Sequence, residues 1–512
     1  MTINRRKLLQ WMGGACSALA LSKLANAQAA KGPGFVGTRH SLQRYRIPDW
    51  YRDAKFGIWS HWGPQSAIED GDWYARNMYI QGQEQYDYHV AHYGHPSKVG
   101  YKDLVDTWKA ARWDPDYLMS LYKKAGAKYF VSMGVHHDNF DLWNSKYTRW
   151  NAVRMGPKKD IVGIWRDAAR KQGLRFGVSE HLWISYKWWA VTHGADKTGP
   201  LAGVPYDGID PKFEDLYHDD NCARFVDKLD WNDDGIPASW KRHYLDRMTD
   251  LIDKYQPDFL YTDGHLPFEE YGMKMVAHLY NVSAQLHGGQ TEAVYTSKEQ
   301  TDCAIGTCLL DHERGVADGI AKNPWQTDTC IGQWHYKRGQ QYKTAKKVID
   351  LLVDIVSKNG NLLLNLPLPN SGELDAEEIK VLDGITEWMA INSKGIYSTR
   401  PWKIYGEGPS TKTKIETGNF NEDKQRDLTA EDVRFTTKNN ALFAFVMGWP
   451  EKEAVVPALG LASPQQPGKI RGVGLLGYKA KLNWKQDETS LRVEMPAEKI
   501  SDLGITLKIE LV

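Results

Sequence analysis

Cysteine is scarce in this 512-residue sequence, with five in all. None falls in the paired C-x-x-C spacing of a zinc knuckle. Once an N-terminal leader carrying Cys16 is set aside, Cys222, Cys303, Cys308 and Cys330 read as buried thiols. A single disulfide is the alternative, and spacing does not choose its partners. Charge of one sign is also lacking: 65 basic residues against 64 acidic ones leave a net charge of +1, which gives no general pull toward nucleic acid or an anionic membrane. Long apolar runs are missing, and the stretch from Leu8 to Leu21 is too short and too rich in Gly, Ala and Ser to span a bilayer. The Rossmann glycine fingerprint, the P-loop and the H-E-x-x-H pair are all absent, so no motif calls for a nucleotide, a dinucleotide or a helix-borne zinc ion.

Aromatic residues are abundant. The 21 tryptophans and 26 tyrosines exceed ordinary usage and suit either core packing or stacking on the apolar faces of sugar rings. Residues 1–29 have the form of an export signal, with paired Arg5 and Arg6, an apolar stretch, and small residues at Ala25, Ala27 and Ala29. A twin-arginine signal of this kind places the mature protein in the periplasm or outside the cell.

From residue 30 to 402 short apolar runs alternate with segments of helical period, which predicts a (β/α)8 barrel. The strand candidates are "KFGIWSHW", "AKYFVSMGV", "LRFGVSEHL", "DFLYTDG", "EAVYTSK", "TCIGQW" and "NLLLNLP". Helices are expected at "PDYLMSLYKKAG", "DIVGIWRDAARKQG", "SWKRHYLDRMTDLIDKY" and "TAKKVIDLLVDIVSKNG". Residues 403–512 read as an antiparallel β-sandwich, with a hairpin turn at Asn439-Asn440. A Gly- and Pro-bearing insertion at 192–221 reads as a long loop near the barrel mouth.

Polar residues collect at the C-terminal ends of the expected strands: His61, His136 and His137, Glu180 and His181, and Asp263. In a barrel these ends converge on one mouth, where active sites are built. Adjacent strand residues point to opposite faces, so His136 and His137 are not expected to share a metal ion while the strand persists. No metal and no cofactor is predicted.

The blocks "YRDAKFGIWSHWGPQSAIEDGDWYARNMY", "KYFVSMGVHHDNFDLWNSKYTRWNA", "QPDFLYTDG", "NGNLLLNLPLPNSGEL" and "ITEWMAINSKGIYSTRPW" resemble, in order, those of the alpha-L-fucosidases of glycoside hydrolase family 29. The resemblance spans roughly residues 50–402 and extends to the C-terminal sandwich. It implies a retaining exo-fucosidase on fucosylated oligosaccharides or glycans, with a (β/α)8 catalytic domain and no membrane span. By the same resemblance Asp263 is the nucleophile, while His61, Asp72, Trp73, His136 and His137 line the sugar pocket. Asp72 stands where a glutamate is more usual. "FGVSEHLW" departs from the family pattern and leaves Glu180 or His181 to make that strand's contact. Glu313 is the acid/base candidate, with Asp311 and Glu180 in reserve. Alternatives are a galactose-type glycosidase on the same scaffold and a fucose-binding protein that has lost catalysis. Oligomeric state, linkage and leaving-group preference are not set by these blocks, and the 192–221 insertion is where the last two are expected to be decided.

Overall fold

The computed structural model describes residues 34–227, 229–304 and 306–512. The export-signal segment lies outside the described residues. Eight parallel strands close a barrel in chain order: β1 Phe56–Ser60, β2 Tyr129–Val135, β3 Arg175–Glu180, β4 Phe259–Thr262, β5 Val294–Ser297, β6 Leu309–Glu313, β7 Trp325–Cys330 and β8 Gly360–Asn365. β8 pairs with β1 in register Phe56↔Leu362 through Trp59↔Asn365, which completes the ring.

Helices of the outer layer begin where the sequence supplies caps. α1 (Pro115–Lys124) starts on Asp114, whose side chain accepts the Tyr117 N–H at 2.9 Å, with proline at the first turn. It stops at Gly126 with φ 105°, a conformation that suits only glycine well. α2 (Ile161–Lys171) is capped by Asp160 and ends at Gly173 with φ 72°. α3 (Ala238–Tyr255), α4 (Glu270–Leu286) and α5 (Ala345–Ser357) follow β3, β4 and β7, and α6 (Ala376–Asn392) opens with an Asp375/Glu378 capping box. No helix lies between β6 and β7. None of the helices among the described residues is long and apolar enough to cross a membrane.

Two barrel strands differ from expectation. β6, "LLDHE", was not anticipated as a strand, and β7 is "WQTDTC" rather than "TCIGQW". Both carry polar side chains into the barrel: Asp311, Gln326 and Asp328 are buried there, while Thr327 and Thr329 on the other face of β7 bond Gly315 and Glu422. An apolar pattern cannot mark a strand whose inward face holds the polar groups of a site.

The C-terminal domain packs a five-stranded sheet against a three-stranded one. β9 (Arg400–Glu407), β10 (Val433–Lys438), β11 (Ala441–Val446), β13 (Ile470–Leu475) and β16 (Ile505–Leu511) form the first, in order β13-β16-β11-β10-β9. β12 (Glu453–Val456), β15 (Leu491–Glu494) and β14 (Trp484–Gln486) form the second. The β10–β11 hairpin turns on Asn439, at φ 54°, and Asn440, as the sequence predicted. The domain boundary moves slightly: β9 begins at Arg400, inside the segment assigned to the barrel. Residues 409–424 also leave the sandwich and return to the top of β6 and β7. There Arg314 Nε donates to Glu422 at 2.9 Å, and the Asn421 side chain exchanges bonds with the Val316 N–H and C=O at 2.8 and 3.0 Å. The missing β6–β7 helix leaves room for this strap.

The 192–221 insertion is ordered, as a chain of short helical turns. Tyr86 and Tyr206 hydroxyls donate to Asp196 at 2.6 and 2.7 Å, and Tyr79 donates to Asp207 at 2.8 Å. Cys303 and Cys308 form a disulfide, while Cys222 and Cys330 are buried thiols.

Candidate active site

At the C-terminal mouth of the barrel a cavity of about 410 Å³ is lined by residues from seven of the eight strands or the loops that follow them. Its floor is Asp263, the first residue beyond β4. Its backbone is fixed by Trp183, whose indole N–H donates to the Asp263 carbonyl at 2.6 Å. Gly264 follows at φ 116°, and a Cβ there would stand 3.0 Å from the Trp183 ring, so only glycine lets the two pack this closely.

The Asp263 carboxylate is heavily partnered. Lys298, just past β5, donates to Oδ1, while His181 Nδ1 and His137 Nε2 lie 3.1 and 3.4 Å from Oδ2. Burial disfavours its charge, but Lys298 and then His181 outweigh burial and hold the group well below the usual carboxylate range. The same Lys298 ammonium donates to Glu313 Oε2 at 2.5 Å. Glu313, at the end of β6, responds the other way. Burial, reinforced by the negative charges of Asp263 and Asp328, overcomes Lys298 and pushes it up to about 7. Two carboxyl groups on one ammonium are thus driven apart, one ionised and one poised to hold a proton near neutral pH.

Imidazoles and indoles wall the rest. His61 is 2 % exposed, its backbone N–H donates to Asn365 Oδ1 at 2.8 Å, and neither ring nitrogen has a protein partner. Burial, then His335 and His181, keep it well below its ordinary pKa, so it offers a neutral donor and a neutral acceptor. His136 is held by Gln65 at 2.7 Å, and His137 Nδ1 donates to the His181 carbonyl at 2.7 Å. Burial lowers His181 to about 4. Asp72 accepts from His335 Nδ1 at 2.6 Å, and Trp73 is held in the left-handed region at φ 60° beside His137 and Trp231. Bulky residues seldom adopt that backbone, and such strain gathers at binding sites.

"HHDNFD" therefore divides its labour. β2 ends at Val135, and the chain turns at Asn139 with φ 62°, so His136 and His137 both face the cavity, with ring centroids 4.4 Å apart. The opposite-face expectation fails because the strand has already ended. Asp138, Asn139 and Asp141 hold the turn: Tyr101 OH donates to Asp138 at 2.6 Å, and buried Arg247 donates to Asn139 Oδ1 at 2.5 Å and to both Asp141 oxygens.

One expected pocket residue is elsewhere. Glu180 is fully buried and points away from the cavity. Its carboxyl accepts from Thr262 Oγ1 at 2.6 Å, Tyr244 OH at 2.8 Å and the Leu182 N–H at 3.0 Å. His181 takes the cavity position instead, because successive residues at the strand end alternate in direction. Asp311 lies inside the barrel below Glu313, bonded to Gln326 Nε2 at 2.7 Å. Burial and neighbouring Asp328 raise it well above the carboxylate range. None of residues 192–221 lines the cavity.

Sequence reasoning missed Lys298, Asp328, His335 and the tryptophans Trp59, Trp183, Trp231 and Trp334. Lys298 had a usable signal, a lone charge ending the expected strand "EAVYTSK". His335 and Trp334 sit in the loop after β7, which was displaced. Asn419 and Phe420 reach the cavity from the strap, which no local pattern ties to the barrel. Among the described residues two groups have donors close enough for a metal: His61, Asp72, His136 and His335, and His136, His137 and His181, each set with ligand atoms within 4.8 Å of one another. The same side chains equally suit sugar hydroxyls.

A closed parallel barrel whose C-terminal mouth pairs an ionised aspartate with a protonatable glutamate, amid imidazoles and indoles, defines a glycoside hydrolase. The comparisons narrow this. The alpha-L-fucosidase family model matches residues 21–394, and the model of the family's C-terminal domain matches residues 425–510. The chain belongs to the alpha-L-fucosidase family. Rat tissue alpha-L-fucosidase is 24% identical over 490 residues, covering 93% of this chain and 92% of that one. Human plasma alpha-L-fucosidase is 26% identical over 479 residues, covering 90% of this chain and 88% of that one. Among solved structures, Thermotoga maritima alpha-fucosidase in complex with fucose has a TM-score of 0.68 at 25% identity, covering 93% of this chain and 99% of that one.

Proposed function

We propose that this protein is a retaining exo-alpha-L-fucosidase in which Asp263 is the nucleophile and Glu313 the acid/base. The observation that carries this reading is the Lys298 bridge: two carboxylate oxygens bonded to one ammonium can be no more than about 5 Å apart, which is short of the roughly 6.5–9.5 Å that leaves room for an intervening water and so favours direct attack. Asp263 attacks the anomeric carbon and the glycosidic C–O bond breaks. The departing oxygen takes the Glu313 proton, leaving a fucosyl ester on Asp263. Water then attacks the same carbon and gives a proton to Glu313 as the ester bond breaks. His61, His136 and His181, all held below the ordinary imidazole value by burial, supply neutral donors and acceptors for ring hydroxyls, and His137 and the Asp72–His335 pair add further hydrogen-bonding groups. The aromatic walls suit the C6 methyl. Fucosidase relatives, and a structural neighbour solved with fucose, support the choice of sugar.

The test is stereochemical. Proton NMR of the first product from an aryl alpha-L-fucoside is expected to show alpha-L-fucose. Asp263→Gly is expected to lose turnover and regain it with azide, giving beta-fucosyl azide, while Glu313→Ala with azide gives the alpha product. First release of beta-L-fucose by the folded wild type overturns the assignment. The Arg5-Arg6 leader further supports export, and cell fractionation beside an Arg5→Lys/Arg6→Lys variant tests it: cytoplasmic retention of both proteins would sink it.

A further inference from the structure

We propose that Phe420, carried by the strap from the C-terminal domain, is the platform on which the leaving-group sugar ring rests, with Trp231 as the second aromatic face of that subsite. The inference rests on the fucosidase reading above and goes on to the group attached to the fucose.

The strap is bound to the acid/base residue itself. The Glu313 N–H donates to Asn419 Oδ1 at 3.0 Å, and the Phe420 N–H donates to the Glu313 carbonyl at 2.7 Å. Whatever is joined to the oxygen that Glu313 protonates must therefore lie beside Asn419 and Phe420, both of which line the cavity. Phe420 stands at φ 54°, a backbone that strains a bulky residue. Its neighbours hold it there: Asn421 is tied to Val316, and Glu422 to Arg314.

That strain gains little internal packing. Phe420 is 61 % exposed, and among the described residues it stacks on no other aromatic ring. Trp231, 46 % exposed and lining the same cavity, stands beside Trp73, Trp183 and His137 with ring centroids 5.8, 6.2 and 5.6 Å away. Two exposed aromatic faces at the rim of a sugar-sized cavity suit a pyranose, whose axial C–H groups form an apolar face. The chemical class of leaving group is thus a glycan sugar ring, and the sandwich domain helps to select it.

The experiment compares alpha-L-fucosyl fluoride, whose leaving group has no ring, with a fucosyl disaccharide, fucose on galactose or on N-acetylglucosamine, whichever the wild type cleaves. Phe420→Ala is expected to lower kcat/KM on the disaccharide on the order of tenfold, mainly through KM, and to leave the fluoride within about twofold. Phe420→Trp is expected to keep disaccharide activity, and Trp231→Ala, which also touches the fucose pocket through Trp73 and His137, to lower kcat/KM more on the disaccharide than on the fluoride. Equal losses on both substrates mean that the strap only braces Glu313, and no loss on either means an idle side chain; each result overturns the proposal. A wild type inert toward the fluoride defeats the fucosidase reading itself.

Discussion

Nζ of Lys298 lies 2.5 Å from Oε2 of Glu313. The same ammonium is bonded to Asp263, so one cation lowers the pKa of both carboxyl groups at once, prevailing over burial at Asp263 but not at Glu313. Burial alone would discharge Lys298, yet Asp263 and Glu313 hold its pKa well above the ordinary lysine value.

The wild-type pH profile follows from this arrangement. Glu313 must carry a proton when the leaving group departs, and its pKa is about 7. The alkaline limb of kcat/KM is therefore expected near pH 7, falling about tenfold per pH unit above it. Asp263 stays ionised through the mildly acidic range, so activity is expected to hold down to about pH 4, where His181 also gains a proton. A profile rising through pH 8 would contradict the assignment of Glu313 as acid.

Lys298→Met removes the cation and keeps the length. Both carboxyl groups lose a neighbour that lowers their pKa, so both limbs are expected to move to higher pH while the maximum rate falls. The check is a kcat/KM profile from pH 3 to 10. A fall in rate with both limbs unmoved would mean that Lys298 acts only by holding geometry.

Arg247 and Asp141 are fully buried and support the turn that carries His136 and His137. Arg247→Met leaves Asp141 without its cation and is expected to cost about 3–5 kcal/mol in denaturant unfolding. Arg149→Met, at an exposed pair with Asp215, is expected to cost no more than about 1 kcal/mol. Equal midpoints for the two variants would show that the buried pair is not a support.

Exhaustive dialysis against EDTA is expected to leave turnover unchanged, since a carboxylate pair needs no ion for this chemistry. Activity lost to EDTA and restored by added zinc would instead show that the His61, Asp72, His136 and His335 group holds a metal in use.

The sequence by itself determined much of this protein. The barrel, the helices α1 and α2, the Asn439-Asn440 hairpin, and the strand-end positions of His61, His136, His137, His181 and Asp263 were legible because each depends on local periodicity or on a short block. Tertiary structure decided the rest. It turned Glu180 away from the cavity and His181 into it, because direction at a strand end depends on the residue where pairing stops. It also revealed β6 and β7, whose inward polar residues hide the strand period. Above all it joined Asp263 to Glu313 through Lys298, and Glu313 to Phe420. Those pairs lie on separate strands and in separate domains, and only closure of the barrel and return of the strap bring them within bonding distance.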